Sequence, residues 1–173
     1  MEKIGNHTPA GFLRGGKYSL FEAGTRVPFI TYWKGTIQPG VSDALVCQID
    51  LLASIAKLVG AKETNTDSEE LLDVMIGESH KGRESLVIEA NTKTALRKGE
   101  WLMIPPYDGP AKNKWVNIEL GNSNHYQLYN LAKDIGQQIN LAENEPVKLK
   151  EMIESYKLLR GDLNLKTQEL ELK

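Results

Sequence analysis

Gly15, Gly16 and Lys17 stand in a row within Arg14-Gly15-Gly16-Lys17, and these residue types together suit an oxyanion. Glycine has no Cβ, so the backbone can turn tightly and come close to a ligand. Lysine adds a compact cation with three donors, which matches a tetrahedral anion. Arg14 reads either as a second anion contact or as an ion-pair partner for Glu22. Arg26 reads as the partner of a buried carboxylate, because an apolar run, Phe29-Ile30-Thr31-Tyr32-Trp33, begins almost at once. Two further residues could take part. His7 is an ordinary surface histidine on one reading and a proton donor to a leaving group on the other. Tyr107, in Pro105-Pro106-Tyr107-Asp108-Gly109, sits on a turn-rich segment and is a candidate ligand contact.

Positioning these groups falls to a small set of elements. Residues 27–33 read as a buried strand from their apolar continuity. Leu52, Ile55, Ala56 and Val59 recur at helical spacing, with Asp50 as the expected N-cap and Gly60 as the expected C-terminal glycine. Asp43 reads as another cap residue. Residues 71–77 suit a short helix. Residues 85–90, 94–97, 100–104 and 115–118 then alternate as strands, with Lys98-Gly99 as a hairpin turn. Pro146 is pre-set for a first helical position, and Leu149, Met152, Ile153, Tyr156 and Leu159 form an inward face that Gly161 ends. Trp33 and Trp101 read as packing residues rather than as a carbohydrate platform.

Composition narrows the class. A chain of 173 residues, 40 % hydrophobic and 25 % charged, is long enough for a sizeable core and ordinary for a globular protein. Its net charge of -2 gives no electrostatic case for nucleic acid or an anionic membrane. The first sixty residues carry a small positive excess and the rest a negative one, which fits an anion-handling front half. Cys47, the only cysteine, excludes an internal disulfide and sits among apolar neighbours. No run approaches the ~18 apolar residues of a membrane span. His7, His80 and His125 lack ligand spacing, so no zinc site is expected.

The stretch from Arg14 to Phe29 resembles the pattern R-G-G-K-x-x-x-x-E-G-G-x-R-V-P-F of the type I, formylglycine-dependent sulfatases. Ser42-Asp43-Ala44-Leu45, Gln48-Ile49-Asp50-Leu51-Leu52 and Leu58-Val59-Gly60 follow the same family's S-D-x-L-V-x-x-I-D-L-L-P-T-L-L-x-L-A-G, with Ala53-Ser54 in place of Pro-Thr. Residues 127–142 are similar to its E-L-Y-D-L-x-x-D-P-x-E-x-x-N-L-A, with Gln127, Asn130, Ile135 and Gln137 as departures. The resemblance covers residues 5–60 well and 85–160 moderately.

What it implies is an α/β, alkaline-phosphatase-like fold. Residues 1–84 would belong to the catalytic domain, and residues 85–173 would form an antiparallel sheet with a packed C-terminal helix. By that resemblance Lys17 would contact the sulfate of the substrate, while His7 as proton donor and Arg14 and Tyr107 as substrate contacts stay candidates from their own sequence context. The family's Cys/Ser-x-Pro-x-Arg nucleophile motif is absent from the sequence, so a C-terminal portion, inactive alone, is expected. Calcium would be held by the full-length parent, with no metal ligand in this chain. The expected partners are a sulfated small molecule or glycan, together with self-association through exposed strand edges. Two alternatives remain: a phosphate or phosphonate ester hydrolase of the same superfamily, and a non-catalytic binding or packing module.

Overall fold

A computed structural model describes residues 9–62 and 67–161, so His7 lies outside the described residues. In chain order the elements are α1 (Glu22–Thr25), α2 (Asp50–Val59), α3 (Leu72–Met75), β1 (Ser85–Ala90), β2 (Lys93–Lys98), β3 (Trp101–Ile104), β4 (Lys112–Asn113), β5 (Ile118–Glu119), β6 (Gln127–Asn130) and α4 (Pro146–Arg160). Together they give an α/β arrangement. They divide into two units: residues up to Thr25 together with those from Val87 onward, and Arg26–Leu86.

The first unit is built on a four-stranded sheet of order β1-β2-β3-β6. Asn91 and Thr92 both take positive φ, 53° and 66°, and make the two-residue turn between β1 and β2. Gly99-Glu100 turns β2 into β3, with Lys98 opposite Trp101, and β3 pairs antiparallel with β6 through Met103 opposite Leu128. Successive side chains point to opposite faces, and both faces are covered. Ala95, Leu102, Ile104 and Tyr129 pack on one side against Leu20 and Phe21 from the segment that carries Lys17. Leu96, Met103 and Leu128 pack on the other side against Met152 of α4. Two-sided burial explains why β3 reads as an unbroken apolar run, Trp-Leu-Met-Ile, instead of alternating.

Helix α4 starts at Pro146 and stops before Gly161, as its sequence signals imply. Leu149, Met152, Ile153 and Tyr156 face the sheet, whereas Leu159 is exposed. The expected strand at 115–118 is not one: residues 114–117 form a turn, and only Ile118 belongs to a strand, β5, which pairs with β4 through Lys112 opposite Glu119. Trp115 falls in the turn between them and is exposed, so the pairing partner, not the aromatic content, sets the strand limits.

In the second unit, α2 ends at Gly60 in the left-handed conformation, as expected. Its buried face is nevertheless not the apolar one. Asp50, Ala53 and Ser54 are buried, while Leu52, Ile55 and Val59 are exposed. Ser54 Oγ accepts from the Leu71 N–H at 2.9 Å, and Ser68 Oγ accepts from the Ala53 N–H at 2.9 Å. These polar bonds tie α2 to the segment leading into α3, and Leu71, Val74 and Met75 close a small core with Ala44, Val46 and Leu51.

Asp50 is not a helix cap. Ile49 takes that position, and the Asp50 carboxylate is ion-paired with Arg83 instead. It also accepts the backbone N–H groups of Cys47 at 2.8 Å and Glu69 at 3.0 Å.

Residues 27–33 are not a strand. They have no ladder partner among the described residues, and Val27, Phe29, Ile30, Tyr32 and Trp33 are exposed. Thr31 Oγ1 does anchor to the Met75 carbonyl at 2.8 Å. A strand exists only through its neighbours, and apolar continuity alone does not supply them.

Candidate functional site

The Lys17 segment is shaped first by local turns. The Ser19 N–H donates to the Gly16 carbonyl at 2.9 Å, closing a four-residue turn with Lys17 and Tyr18 at its centre. Tyr18 has φ +75°, the value that a type II turn demands at its third position. Lys17 is thereby set at the apex, exposed, with its ammonium 5.1 Å from the centre of the Tyr18 ring. The flanks fold back immediately. Ser19 Oγ accepts the Phe21 N–H, and the Ala23 N–H donates to the Arg14 carbonyl at 3.0 Å, joining the two ends of the loop.

Two glycines are required by close approach. A Cβ on Gly15, which has φ +85°, would lie 2.3 Å from Ser19 Oγ. One on Gly24 would lie 2.2 Å from the Ser19 carbonyl oxygen and 2.5 Å from that of Gly16. Alanine fits at neither position without a shift of the neighbouring atoms.

The loop is then clamped to the sheet unit. Arg14 makes a bidentate pair with Glu119 of β5, Nε to Oε2 at 2.9 Å and Nη2 to Oε1 at 3.1 Å. Its Nη1 donates to the Gln137 carbonyl at 2.6 Å and to Tyr129 Oη at 3.4 Å, and its guanidinium lies 4.2 Å over the Phe21 ring. The Glu119 bond holds the guanidinium above its usual range and the Glu119 carboxyl below its own. Burial pushes the Tyr129 hydroxyl up, partly opposed by Arg14. The Tyr129 hydroxyl donates to Gln127 Oε1 at 2.9 Å, and Gln127 Nε2 donates to the Gly121 carbonyl at 2.7 Å.

Of the groups singled out around this loop, Lys17 is exposed, whereas Arg14 and Glu22 are held within the frame. Arg14 is engaged by Glu119, Gln137 and Tyr129, so its carboxylate partner is Glu119 and not Glu22. Glu22 is buried, pairs with Arg97 at 3.5 Å, and its N–H donates to Gln137 Oε1 at 2.8 Å. Tyr107 is likewise committed. Its hydroxyl donates to the Thr94 carbonyl at 2.7 Å and accepts the Thr94 N–H at 3.0 Å. Lys93 lies over the Tyr107 ring at 5.5 Å. Glu119, Gln137 and Arg97 escaped the sequence reading. Each acts across 75 to 123 residues, a separation at which no local pattern marks a partner.

Among the described residues, no three His, Cys, Asp or Glu side chains gather into a metal-binding group. No described helix is long and apolar enough to cross a membrane.

Comparison with known proteins places this geometry. The family model described as Sulfatase matches residues 4–61. An N-acetylgalactosamine-6-O-sulfatase of Bacteroides thetaiotaomicron is 41 % identical over 163 residues, covering 90 % of this chain and 32 % of that protein. Human arylsulfatase A is 29 % identical over 166 residues, covering 87 % of this chain and 33 % of that protein. A solved structure described with the metabolism of multiple glycosaminoglycans by B. thetaiotaomicron superposes with a TM-score of 0.85 at 40 % identity, over 90 % of this chain and 33 % of that one. The PsFucS1 sulfatase of Pseudoalteromonas sp. shares the fold, with a TM-score of 0.69 at 21 % identity over 85 % of this chain. The chain spans about a third of the length of the relatives it matches. Sequence likeness runs through the clamped Lys17 loop and fold likeness through the sheet that clamps it, and on both counts the chain belongs to the sulfatase family.

Proposed function

We propose that this chain is the part of a sulfate-monoester hydrolase that supplies a sulfate-binding lysine, and that it is inactive alone. The observation that carries the reading is the exposed Lys17 at the apex of a turn that Arg14 holds to Glu119 and Gln137. Cleavage of the S–O bond builds negative charge on the bridging and non-bridging oxygens. A cation fixed beside them stabilises that charge more in the transition state than in the ground state. Clamping the loop at Arg14 removes the cost of ordering it at the moment of reaction. The substrate would be a sulfated carbohydrate or aryl alcohol, in keeping with what the relatives' names say of those proteins.

The sequence has no Cys/Ser-x-Pro-x-Arg motif, and the described residues offer no metal-binding group. In this proposal the formylglycine nucleophile and the calcium ion belong to residues outside this chain, and no step is assigned to them here. The exposed apolar side chains of residues 27–33 and of α2 would be buried against such a partner, or by self-association when it is missing.

Titration of the chain with inorganic sulfate, followed through the amide resonances of Gly15 to Ser19, tests the reading. Lys17→Ala is expected to abolish the response. An unchanged response in that variant overturns the assignment, and turnover of an aryl sulfate by the purified chain overturns the claim that it is inactive alone.

A further inference from the structure

We infer that Tyr18 is a specificity-determining residue that receives the ring of a sulfate ester's alcohol while Lys17 holds the sulfate. The inference rests on the Lys17 reading and extends it from the anion to the group that leaves.

Three observations converge on Tyr18. First, it occupies a position where a side chain is disfavoured. The third residue of a type II turn needs positive φ, and glycine or asparagine is the usual occupant. Tyr18 sits there with φ +75°, so a bulky side chain is held against its backbone preference. Local strain of this kind gathers where a site needs a particular group in a particular place.

Second, the fold leaves Tyr18 half uncovered. Phe21, three residues on, is buried and packs edge-to-face on Tyr129 with ring centroids 6.0 Å apart. Tyr18 is 50 % exposed, and the Lys17 ammonium lies over its ring. The two aromatic residues of one loop therefore divide, one serving the core and the other left facing out.

Third, the distance suits a two-part ligand. The ammonium lies 5.1 Å from the ring centre, so an anion on Lys17 has its ester oxygen within reach of the ring. A flat or CH-rich ring attached to that oxygen can stack on Tyr18, whereas inorganic sulfate or a methyl ester has nothing to place there. The contact is indifferent to which atom of the ring carries the sulfate, so it selects for a ring and not for a position on it.

The test compares inorganic sulfate, methyl sulfate and 4-nitrophenyl sulfate on the 173-residue chain at fixed ionic strength. Amide shifts of Gly15 to Lys17 report the anion, and the Tyr18 ring protons report stacking. The parent sequence is expected to favour the aryl ester over the other two by about two- to tenfold. Tyr18→Asn, which tolerates positive φ, is expected to level the three affinities and keep or raise the melting temperature. An aryl preference that survives Tyr18→Asn overturns the inference while Lys17 stands. A chain that gives no sulfate response, or one that Lys17→Ala leaves intact, overturns the Lys17 reading and this inference with it.

Discussion

Replacing Asp50 by asparagine removes one charge and leaves the shape almost untouched. The carboxylate is 0 % exposed and Arg83 only 8 %, so their pairing is screened little by water. Arg83 Nε reaches both carboxylate oxygens, at 2.8 and 3.0 Å, while the N–H groups of Cys47 and Glu69 take the remaining lone pairs. Breaking a buried pair by removing one partner costs about 3–5 kcal/mol, because the other charge stays behind in a poor solvent. Arg83 keeps a bond to Glu69 at 2.9 Å, but that carboxylate is 50 % exposed and offsets no more than about 1 kcal/mol. The asparagine amide also turns a donor toward groups that are themselves donors. The net loss is therefore about 3 kcal/mol, a large part of a stability that is typically 5–15 kcal/mol.

Urea unfolding of Asp50→Asn, with hydrogen exchange read amide by amide, measures it. Protection across α2 and residues 68–72 should fall by about a hundredfold. The acid dependence gives a second readout. Burial alone would push the Asp50 carboxyl up, but Arg83 and the two backbone donors outweigh burial and hold it below its ordinary range. Near pH 4 the unfolded chain binds more protons at this residue than the folded one does. The pair's contribution is accordingly complete above about pH 4 and fades as pH falls below it, toward the depressed folded-state value. Asp50→Asn should flatten that part of the acid limb. A loss under about 1 kcal/mol, or an acid limb of unchanged slope, would refute the reasoning.

Two further changes probe the loop that carries Lys17. Gly24→Ala drives a methyl group onto two carbonyl oxygens at 2.2 and 2.5 Å, so thermal melting should show a loss of about 3 kcal/mol together with loss of the sulfate response. Glu119→Gln loosens the clamp on Arg14. Glu119 is partly exposed, and the stability change should stay near 1 kcal/mol or below. Exchange at Gly15 to Ser19 should nonetheless rise several-fold, and an unchanged rate there would remove Glu119 from the support of the loop.

Features decided within a few residues were legible in the sequence. Pro146 and Gly161 bound α4, Gly60 ended α2, and the hairpin through Gly99 was marked by its turn residue. The tight turn that carries Lys17 was legible too, because glycine spacing is a local property. What failed depended on distant partners. Residues 27–33 carry a strand's composition, yet a strand also needs a neighbour. Asp50 looked like a cap because caps are the local use of aspartate, and its actual partner lies 33 residues on. Tyr107 looked available because the segment around it is turn-rich, but the Thr94 backbone that occupies its hydroxyl belongs to another strand. The apolar stripe of α2 was read correctly as a stripe, and which side of the helix is buried was settled by Ser54 and Asp50.

The clamp on the loop also sets an order in time. Arg14 leaves the ribosome 105 residues before Glu119 and 123 residues before Gln137. At a few to twenty residues per second, that interval is on the order of ten seconds. Until β2 and β3 have been made, Leu20 and Phe21 have no sheet to settle on, and until Glu119 follows, Arg14 has no carboxylate to clamp it. The anion loop is therefore among the last parts of its unit to take shape, and a nascent chain halted before residue 119 would carry the whole Arg14–Lys17 motif with no means of presenting it.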